Sequence, residues 1–205
     1  MSQAIFNRFF SSETNLVSLV NFPYIQILKP GIAKFEGEKN YVATAEVEGE
    51  KLNYNAPLIE YDTRENRANM QPISSSVWFA KLKNSIKRIY VSSQDEFIIK
   101  NYIFSTGFCG IKCENIAFEY MINYLNLPYF EKEKDILSHG ATMEGVNNED
   151  LKSFKIHLPS KEKLVVFHNK TSDLHCQIAK INQITYQLSC LKEKLLPLLI
   201  NGQLQ

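Results

Sequence analysis

The C-terminal part of the chain most restricts its fold, because residues 160–196 contain neither glycine nor proline. Apolar residues recur there at alternating steps of three and four, the spacing of the a and d positions of a heptad repeat. The pattern predicts one long α-helix with a narrow apolar seam. The seam residues are Leu164, Phe167, Thr171, Leu174, Ile178, Ile181, Thr185, Leu188, Leu191 (or Lys192) and Leu195.

The length of this helix indicates that its seam needs a partner. At about 1.5 Å per residue, roughly 35 residues make a rod near 50 Å, which overhangs a domain of about 150 residues. We therefore favour a coiled coil, with a second copy or with another chain, over an amphipathic helix packed on its own domain. Pro197 and Gly202 are expected to end the helix.

Residues 1–159 are predicted to form one domain, and residues 160–205 the long helix with an apolar tail. Short β-rich runs in the first part, such as residues 76–82 and 88–91, are bounded by Gly, Pro, Asn or Ser. Regular helices do not separate them, which argues against a doubly wound parallel sheet. The predicted fold class is α+β: mainly antiparallel strands with a few helices, one of them at residues 114–125.

Composition argues against several protein classes. No apolar run approaches the roughly 20 residues needed to cross a bilayer, and the first residues lack the pattern of a signal peptide. We therefore expect a cytoplasmic protein. The four cysteines, Cys109, Cys113, Cys176 and Cys190, are too sparse for a disulfide framework, and no second pair at zinc spacing accompanies Cys109 and Cys113. We expect no bound metal or cofactor.

Two segments resemble catalytic motifs only weakly. Residues 126–129 (NLPY) are similar to the Asn-Pro-Pro-Tyr loop of adenine methyltransferases, but one proline is missing and no glycine-rich loop accompanies them. Asp135 with Asp150 and Lys152 is a loose match to a metal-dependent nuclease triad, and Asp150 fits better in a first helical turn capped by Asn147 or Asn148. We therefore predict a non-catalytic chain.

The net charge of the chain is only +1, but its charges are unevenly distributed. Residues 36–62 contain seven acidic and two basic residues, a net charge of −5. Residues 64–112 contain eight basic and three acidic residues, a net charge of +5. Such a segment can form one positive face that binds a polyanion, although a well-mixed solvated surface is the other interpretation.

Five short blocks, taken together, resemble the specificity-subunit family of type I restriction–modification systems. Residues 67–70 (RANM) and 105–108 (STGF) belong to them, and all five occur in the family's order over about four fifths of the chain. The full-length subunit has two recognition domains and two helices, whereas this chain has one of each. Residues 160–166 (SKEKLVV) also differ from the family's usual proline-rich helix entry. The blocks are residues 41–49, 67–83, 105–108, 140–159 and 191–204.

The resemblance implies a non-catalytic subunit that recognises double-stranded DNA. In the family this subunit carries an adenine-specific methyltransferase subunit, and a restriction and translocase subunit can join. The two helices of the full-length subunit run antiparallel with a domain at each end. A half-length chain would rebuild that shape as a homodimer, or with a second specificity chain, and read one half of a bipartite site. The alternative is a degenerate half-subunit that dimerises as a protein adaptor without DNA readout.

Base readout needs planar donors from Arg, Asn or Gln, and anchoring to the DNA backbone needs Lys, Ser or Thr on the same side. Residues 64–71 and 74–88 contain both types, and residues 139–142 are a second candidate loop. The candidate DNA-binding residues are Arg64, Asn66, Arg67, Asn69, Gln71, Ser74, Ser75, Lys81, Lys83, Lys87, Arg88, His139 and Thr142.

Two of these residues have a competing structural interpretation, which we favour. Arg67 would form a buried salt bridge, with Glu60 or Asp62 as the partner, and Asn69 would form a turn. Arg64, Asn66, Lys83 and Lys87 are the stronger candidates for DNA contacts.

Overall fold

The computed structural model describes residues 2–140 and 144–201. Its helices are α1 (Ser2–Phe10), α2 (Glu96–Asn101), α3 (Asn115–Leu125), α4 (Pro128–Leu137) and α5 (Lys161–Ile200). Its strands are β1 (Leu16–Ser18), β2 (Ile25–Ile27), β3 (Glu38–Val42), β4 (Val47–Glu48), β5 (Lys51–Leu52), β6 (Leu58–Glu60), β7 (Ala68–Met70), β8 (Ser76–Ala80), β9 (Arg88–Val91), β10 (Tyr102–Ser105), β11 (Phe108–Cys113) and β12 (Lys155–His157).

Two four-stranded sheets form the body that carries α5. One has the order β2-β11-β8-β9 and is antiparallel throughout. The other has the order β6-β3-β10-β7, in which only β3 and β10 run parallel. β1 pairs with β12 and β4 with β5, both antiparallel. The predicted α+β class is confirmed, and α3 and β9 lie where the sequence predicted a helix and a strand.

β8 is buried along its whole length because the two faces of the strand contribute to two different cores. Val77 and Phe79 join a core with α1, α3 and the start of α5. Trp78 and Ala80 join a second core with residues of β9 and β10. Since alternate side chains of a strand point to opposite faces, the one apolar run serves both cores.

Trp78 occupies the centre of the second core. Its ring meets Phe104 edge-on, with centroids 5.0 Å apart, and its Nε1 donates to Ser76 Oγ at 2.8 Å. Gly110 lies opposite Trp78 on β11, and a Cβ at that position would lie 2.4 Å from a Trp78 ring carbon. The indole ring therefore requires glycine on the neighbouring strand.

The first part of α5 belongs to the core of the chain itself. Ser160 Oγ accepts from Lys163 N at the start of the helix, and Leu164, Phe167 and Thr171 are fully buried. Phe167 packs edge-on against Phe10 at 5.2 Å. Placing these three residues in an intermolecular seam was wrong, because the domain already covers them.

The second half of α5 also contacts the domain, on one side only. Tyr186 stacks on Phe97 with ring centroids 4.7 Å apart, and Asn55 Nδ2 donates to Glu193 Oε1 at 3.2 Å. The helix therefore lies along its own body and does not project freely from it. For this side of α5, packing on its own domain is the correct alternative.

A different side of α5 is exposed. Ile178, Ile181 and Leu188 have 51%, 61% and 60% of their surface exposed. Thr185 and Leu191 are also exposed, and Leu174 and Leu195 are half-buried. We call Ile178, Ile181, Ile184, Thr185, Leu188 and Leu191 the apolar stripe. Its role as a seam stays a prediction.

The helix does not end at Pro197, contrary to expectation. Its last turn runs on to Ile200, and Asn201 N donates to the carbonyl oxygen of Pro197 at 3.0 Å. Proline lacks one backbone donor but still accepts through its carbonyl, so the following turn can close. Gly202 lies outside the described residues.

Three further findings concern membrane-spanning helices, metal sites and the cysteines. No helix in the described residues is long and apolar enough to cross a membrane. Within the same residues, no cluster of three His, Cys, Asp or Glu side chains is placed to hold a metal ion. Cys109 and Cys113 are buried, and burial raises the pKa of the Cys109 thiol to about 12, so this thiol is protonated and unreactive at neutral pH.

Gly110→Ala tests the packing between β8 and β11. We expect the added methyl group to overpack the indole ring and lower the free energy of unfolding by roughly 1–3 kcal/mol, measured by urea denaturation. Trp78→Phe in the same chain makes room for the methyl group. The double variant should therefore lose less than the sum of the two single losses, and additive losses would contradict this account.

Candidate nucleic-acid interface

Several loops meet at the end of the sheets where β8 ends. Gly107, in the turn between β10 and β11, accepts a hydrogen bond from Lys81 N at 2.9 Å. In the same turn, Thr106 N donates to the carbonyl oxygen of Arg67 at 2.8 Å. The loop after β8, the β10–β11 turn and the loop before β7 are thereby held together by backbone bonds.

Lys87 brings a further segment to this end of the molecule. Its Nζ donates to the carbonyl oxygen of Thr44 at 2.7 Å, which ties the β8–β9 loop to the segment that follows β3. We call the combined surface the loop face, which consists of Thr44, Arg67, Lys81, Lys83, Lys87, Thr106 and Gly107. It brings four of the candidate cations together.

Arg67 is exposed and lies across the β10–β11 turn. A Cβ on Gly107 would be 3.2 Å from Arg67 Nη2 and 3.1 Å from Thr44 Cγ2, so the glycine leaves room for the guanidinium group. The buried salt bridge that we favoured for Arg67 is wrong. In the described part of the chain, no ion pair joins Arg67 to Glu60 or Asp62.

Lys83 is paired with an acidic group at the edge of the loop face. Its ammonium group forms an ion pair with Glu144, and its backbone N donates to the carbonyl oxygen of Glu144 at 2.9 Å. The hydrogen bond and the charge of Glu144 raise the pKa of Lys83. Lys83 therefore remains charged, but Glu144 partly neutralises its field.

His139 lies beside the same loop. Its backbone exchanges two hydrogen bonds with Gly145, and Val146 N donates to Lys81 O at 3.0 Å. The imidazole is exposed, with Nδ1 3.1 Å from the carbonyl oxygen of Leu137. The structure thus places His139 next to the loop face, whereas Thr142 lies outside the described residues.

Ser74 and Ser75 are not on the loop face. They precede β8, whereas Lys81 follows it, and a five-residue strand separates its two ends by roughly 17 Å. Ser75 Oγ donates to Asn115 Oδ1 at 3.0 Å, at the start of α3. The expectation that these serines lie on the same side as the lysines is wrong, and DNA contact by them stays a prediction.

Three other candidates are engaged in local bonds. Arg64 stacks on Tyr61 at 4.1 Å and donates to the carbonyl oxygens of Tyr61 and Ala68, so it braces the loop before β7. The side-chain amide of Gln71 is also engaged within the domain, since its Nε2 donates to Ile99 O at 3.0 Å. Asn69 lies inside β7, where its backbone carbonyl oxygen accepts from Gly31 N at 2.8 Å, so the expectation that it forms a turn is wrong. Asn66, by contrast, is exposed next to Arg67.

Arg88 is buried and serves the fold. Its guanidinium group donates to Asn126 Oδ1 at 2.7 Å and to Glu131 Oε1 at 2.6 Å, and Lys134 pairs with Glu131 at 2.7 Å. Only 8% of Arg88 is exposed, so a phosphate cannot reach it. Its assignment as a DNA contact was wrong. The same bonds show that Asn126, in the methyltransferase-like segment, also has a structural role.

The family model described as "Type I restriction modification DNA specificity domain" matches residues 34–188. The chain belongs to this family. Its members are DNA-binding target-recognition domains, and the specificity subunit of type I systems is non-catalytic. No curated protein matches the chain.

Solved structures show the same fold in type I systems. One, from work on complex assembly and conformational transition of the type I R-M system, is 18% identical, with a TM-score of 0.51 over 89% of this chain and 49% of that chain. The HsdS subunit from Thermoanaerobacter tengcongensis is 17% identical, with a TM-score of 0.53 over 88% and 47% of the respective chains. The specificity domain described here thus spans about half the length of these proteins.

Sequence reasoning did not include Thr44 and Thr106, which lie on the loop face, among the candidate residues. Both lie in blocks that carried the family resemblance, residues 41–49 and 105–108, which was the available signal. What the sequence could not show is that the turn at Thr106 and the segment at Thr44 come together around Lys87 and Arg67.

Arg88→Ala and Lys87→Ala test the assignment of Arg88 to the interior of the fold and of Lys87 to the surface. Loss of Arg88 removes its buried bonds to Asn126 and Glu131, leaves Lys134 as the remaining cation beside Glu131, and should cost roughly 3 kcal/mol of unfolding free energy. Loss of Lys87 removes one hydrogen bond at the surface, and should cost about 1 kcal/mol or less. Urea denaturation measures both, and equal losses would contradict the assignment.

Proposed function

We propose that this specificity domain reads one half of a bipartite DNA site through its loop face. The observation that supports this is the convergence of Arg67, Lys83 and Lys87 at one end of the sheets. Thr44 and Thr106 add short polar side chains at the same end. Three cations on one surface can follow a phosphate backbone although the chain as a whole carries only +1.

The loop face offers both kinds of DNA contact. Lys83 and Lys87 are point charges suited to phosphates, which give affinity without sequence preference. Arg67 and Asn66 are exposed planar donors, of the kind that pair with guanine and adenine edges in the major groove. We therefore propose that Arg67 and Asn66 contact the bases. Arg64 does not, because its guanidinium group braces its own loop.

A salt titration of DNA binding tests the loop face. The probe is a fluorescein-labelled duplex of random sequence, and the readout is anisotropy at several salt concentrations. Lys83→Ala and Lys87→Ala should each weaken binding and reduce the steepness of log K against log salt by about one, since each removes one phosphate contact. Glu144→Gln should strengthen binding, because it releases Lys83.

Lys112→Ala is the matched control, because Lys112 is exposed at the other end of β11. It should leave the salt dependence unchanged. If the loop-face variants behave like this control, DNA binds elsewhere. Absence of any DNA binding by a folded chain would favour the alternative of a protein adaptor.

We further propose that the chain forms a symmetric dimer through the apolar stripe of α5. The stripe is exposed, and the chain covers about half of the matched specificity structures. A helix of 40 residues is about 60 Å long, roughly 18 base pairs of B-DNA. Two antiparallel copies would hold two loop faces more than one DNA turn apart, and would recognise a split palindrome. Pairing with a second specificity chain would not require a palindrome.

Ile181→Asp tests the dimer, since a charge at the centre of the stripe is costly to bury. We expect the variant to be a monomer by light scattering, with unchanged circular dichroism because Ile181 is 61% exposed. Gln187→Asp places the same charge on another exposed side of α5 and should remain dimeric. A dimeric Ile181→Asp variant would refute this interface.

The chemistry of modification would then belong to partner subunits. We propose that an adenine-specific methyltransferase subunit docks on the paired helices and on the exposed apolar end of α5, where Leu198 lies. A restriction and translocase subunit would join through the same assembly. Exposed apolar side chains at a helix end, beyond what the domain covers, are typical of an interaction surface.

A further inference from the structure

A cleft of about 1180 Å³ separates the middle of α5 from the domain. α5 is attached on both sides of it, at Phe167 in the core and at Tyr186 on Phe97. Between these attachments, Ala179 faces the domain with only a methyl group. The helix therefore bridges a cavity that its own side chains do not fill.

The cleft has an apolar floor and an acidic edge. Ile89, Ile98 and Ile122 line it from the domain. Glu48 and Glu50 are both exposed at its edge and outweigh the one lining lysine, Lys51. An occupant that combines apolar side chains with a positive charge would suit this lining.

The apolar stripe of α5 adjoins the cleft, because Ile178 and Thr185 belong to both. Antiparallel pairing of the stripe with its own copy is self-complementary, with Ile178 opposite Leu191 and Ile181 opposite Leu188. This register places residues 192–200 of a second copy beside residues 169–177 of the first. The neighbouring end of the cleft is lined by Ser2, Gln3 and His175, and Ser2 Oγ lies 3.5 Å from His175 Nε2.

The second copy's helix end has the required chemistry on the required side. Leu196 follows Ile178 by 18 residues, about five full turns at 3.6 residues per turn, so it projects from the side that borders the cleft. Lys192, one turn before Leu196, supplies a positive charge. Leu198 projects from nearly the opposite side and stays available to another protein.

We propose that the cleft receives the end of α5, residues 192–200, from a second copy of the chain, with Leu196 inside it and Lys192 at its acidic edge. This proposal rests on the dimer proposed above and adds a second contact to it. Each domain would thereby hold the helix end of its partner. Two contacts, the pairing of the apolar stripes and the seating of each helix end, would then fix the angle between the two loop faces.

Disulfide trapping tests the proposal in the full chain. Gln3→Cys and Leu196→Cys are introduced into separate, differently tagged copies in which Cys176 and Cys190 are serine, and the copies are mixed and oxidised. Gln3 lies near His175 at one end of the cleft, and residue 196 of the same chain is about 30 Å from His175 along α5. A disulfide between positions 3 and 196 must therefore join two copies. We expect a crosslinked heterodimer.

Leu196→Cys mixed with Lys112→Cys is the matched control, since Lys112 lies far from the cleft on β11, and it should not crosslink. A dimer by light scattering with no more Gln3 crosslink than this control overturns the seating of the helix end and leaves the stripe dimer intact. A monomer overturns both proposals. DNA binding by the loop face is independent of either result.

A charge exchange gives a second readout that does not need cysteines. Glu50→Lys and Lys192→Glu should each weaken dimerisation about two- to fivefold, as expected for an exposed ion pair. The double variant should recover most of the loss, measured by sedimentation equilibrium. Additive losses in the double variant would contradict the pairing of these two charges.

Discussion

The burial of β8 on both faces is the constraint on which the rest of the structure depends. Val77 and Phe79 pack into the core beneath α1, α3 and α5, and Trp78 packs into the core shared with β10. The two cores hold the strand from both sides, and the two ends of the strand have different surroundings. The Ser76 end is covered near α3, and the Ala80 end leads into the loop face. The cations after β8 are therefore presented from a rigid support.

The charge of the loop face is a local property and not a property of the chain. Glu144 partly neutralises the field of Lys83, and the carbonyl oxygen of Thr44 accepts one hydrogen bond from Lys87. A phosphate can replace such partners at little cost, because the groups are at the surface and remain hydrated. Arg88 follows Lys87 directly in sequence, but its pairing with Glu131 is inside the protein and cannot be exchanged in this way.

α5 has two apolar sides with different periodicities. A straight α-helix repeats every 3.6 residues, so a pattern that repeats every 3.5 residues drifts by about 20° per heptad. The predicted seam therefore begins on the side that faces the domain, at Leu164 and Phe167, and turns away from it by Ile178. The side that stays on the domain continues instead through Ala179 and Tyr186, which are not seam residues.

Sequence alone determined the fold class, the long helix and the family, since these depend on local patterns: short β-rich runs, three-and-four spacing, and ordered motifs such as residues 67–70. It did not determine which polar residues form the site. Lys87 and Arg88 are adjacent cations, and only the tertiary structure places Lys87 beside Thr44 at the surface and buries Arg88 against Glu131 of α4. Thr44, Arg67 and Thr106 are far apart in sequence and meet because β3, β7 and β10 share a sheet. Burial and long-range strand pairing decide such positions, and neither is encoded in the residues next to them.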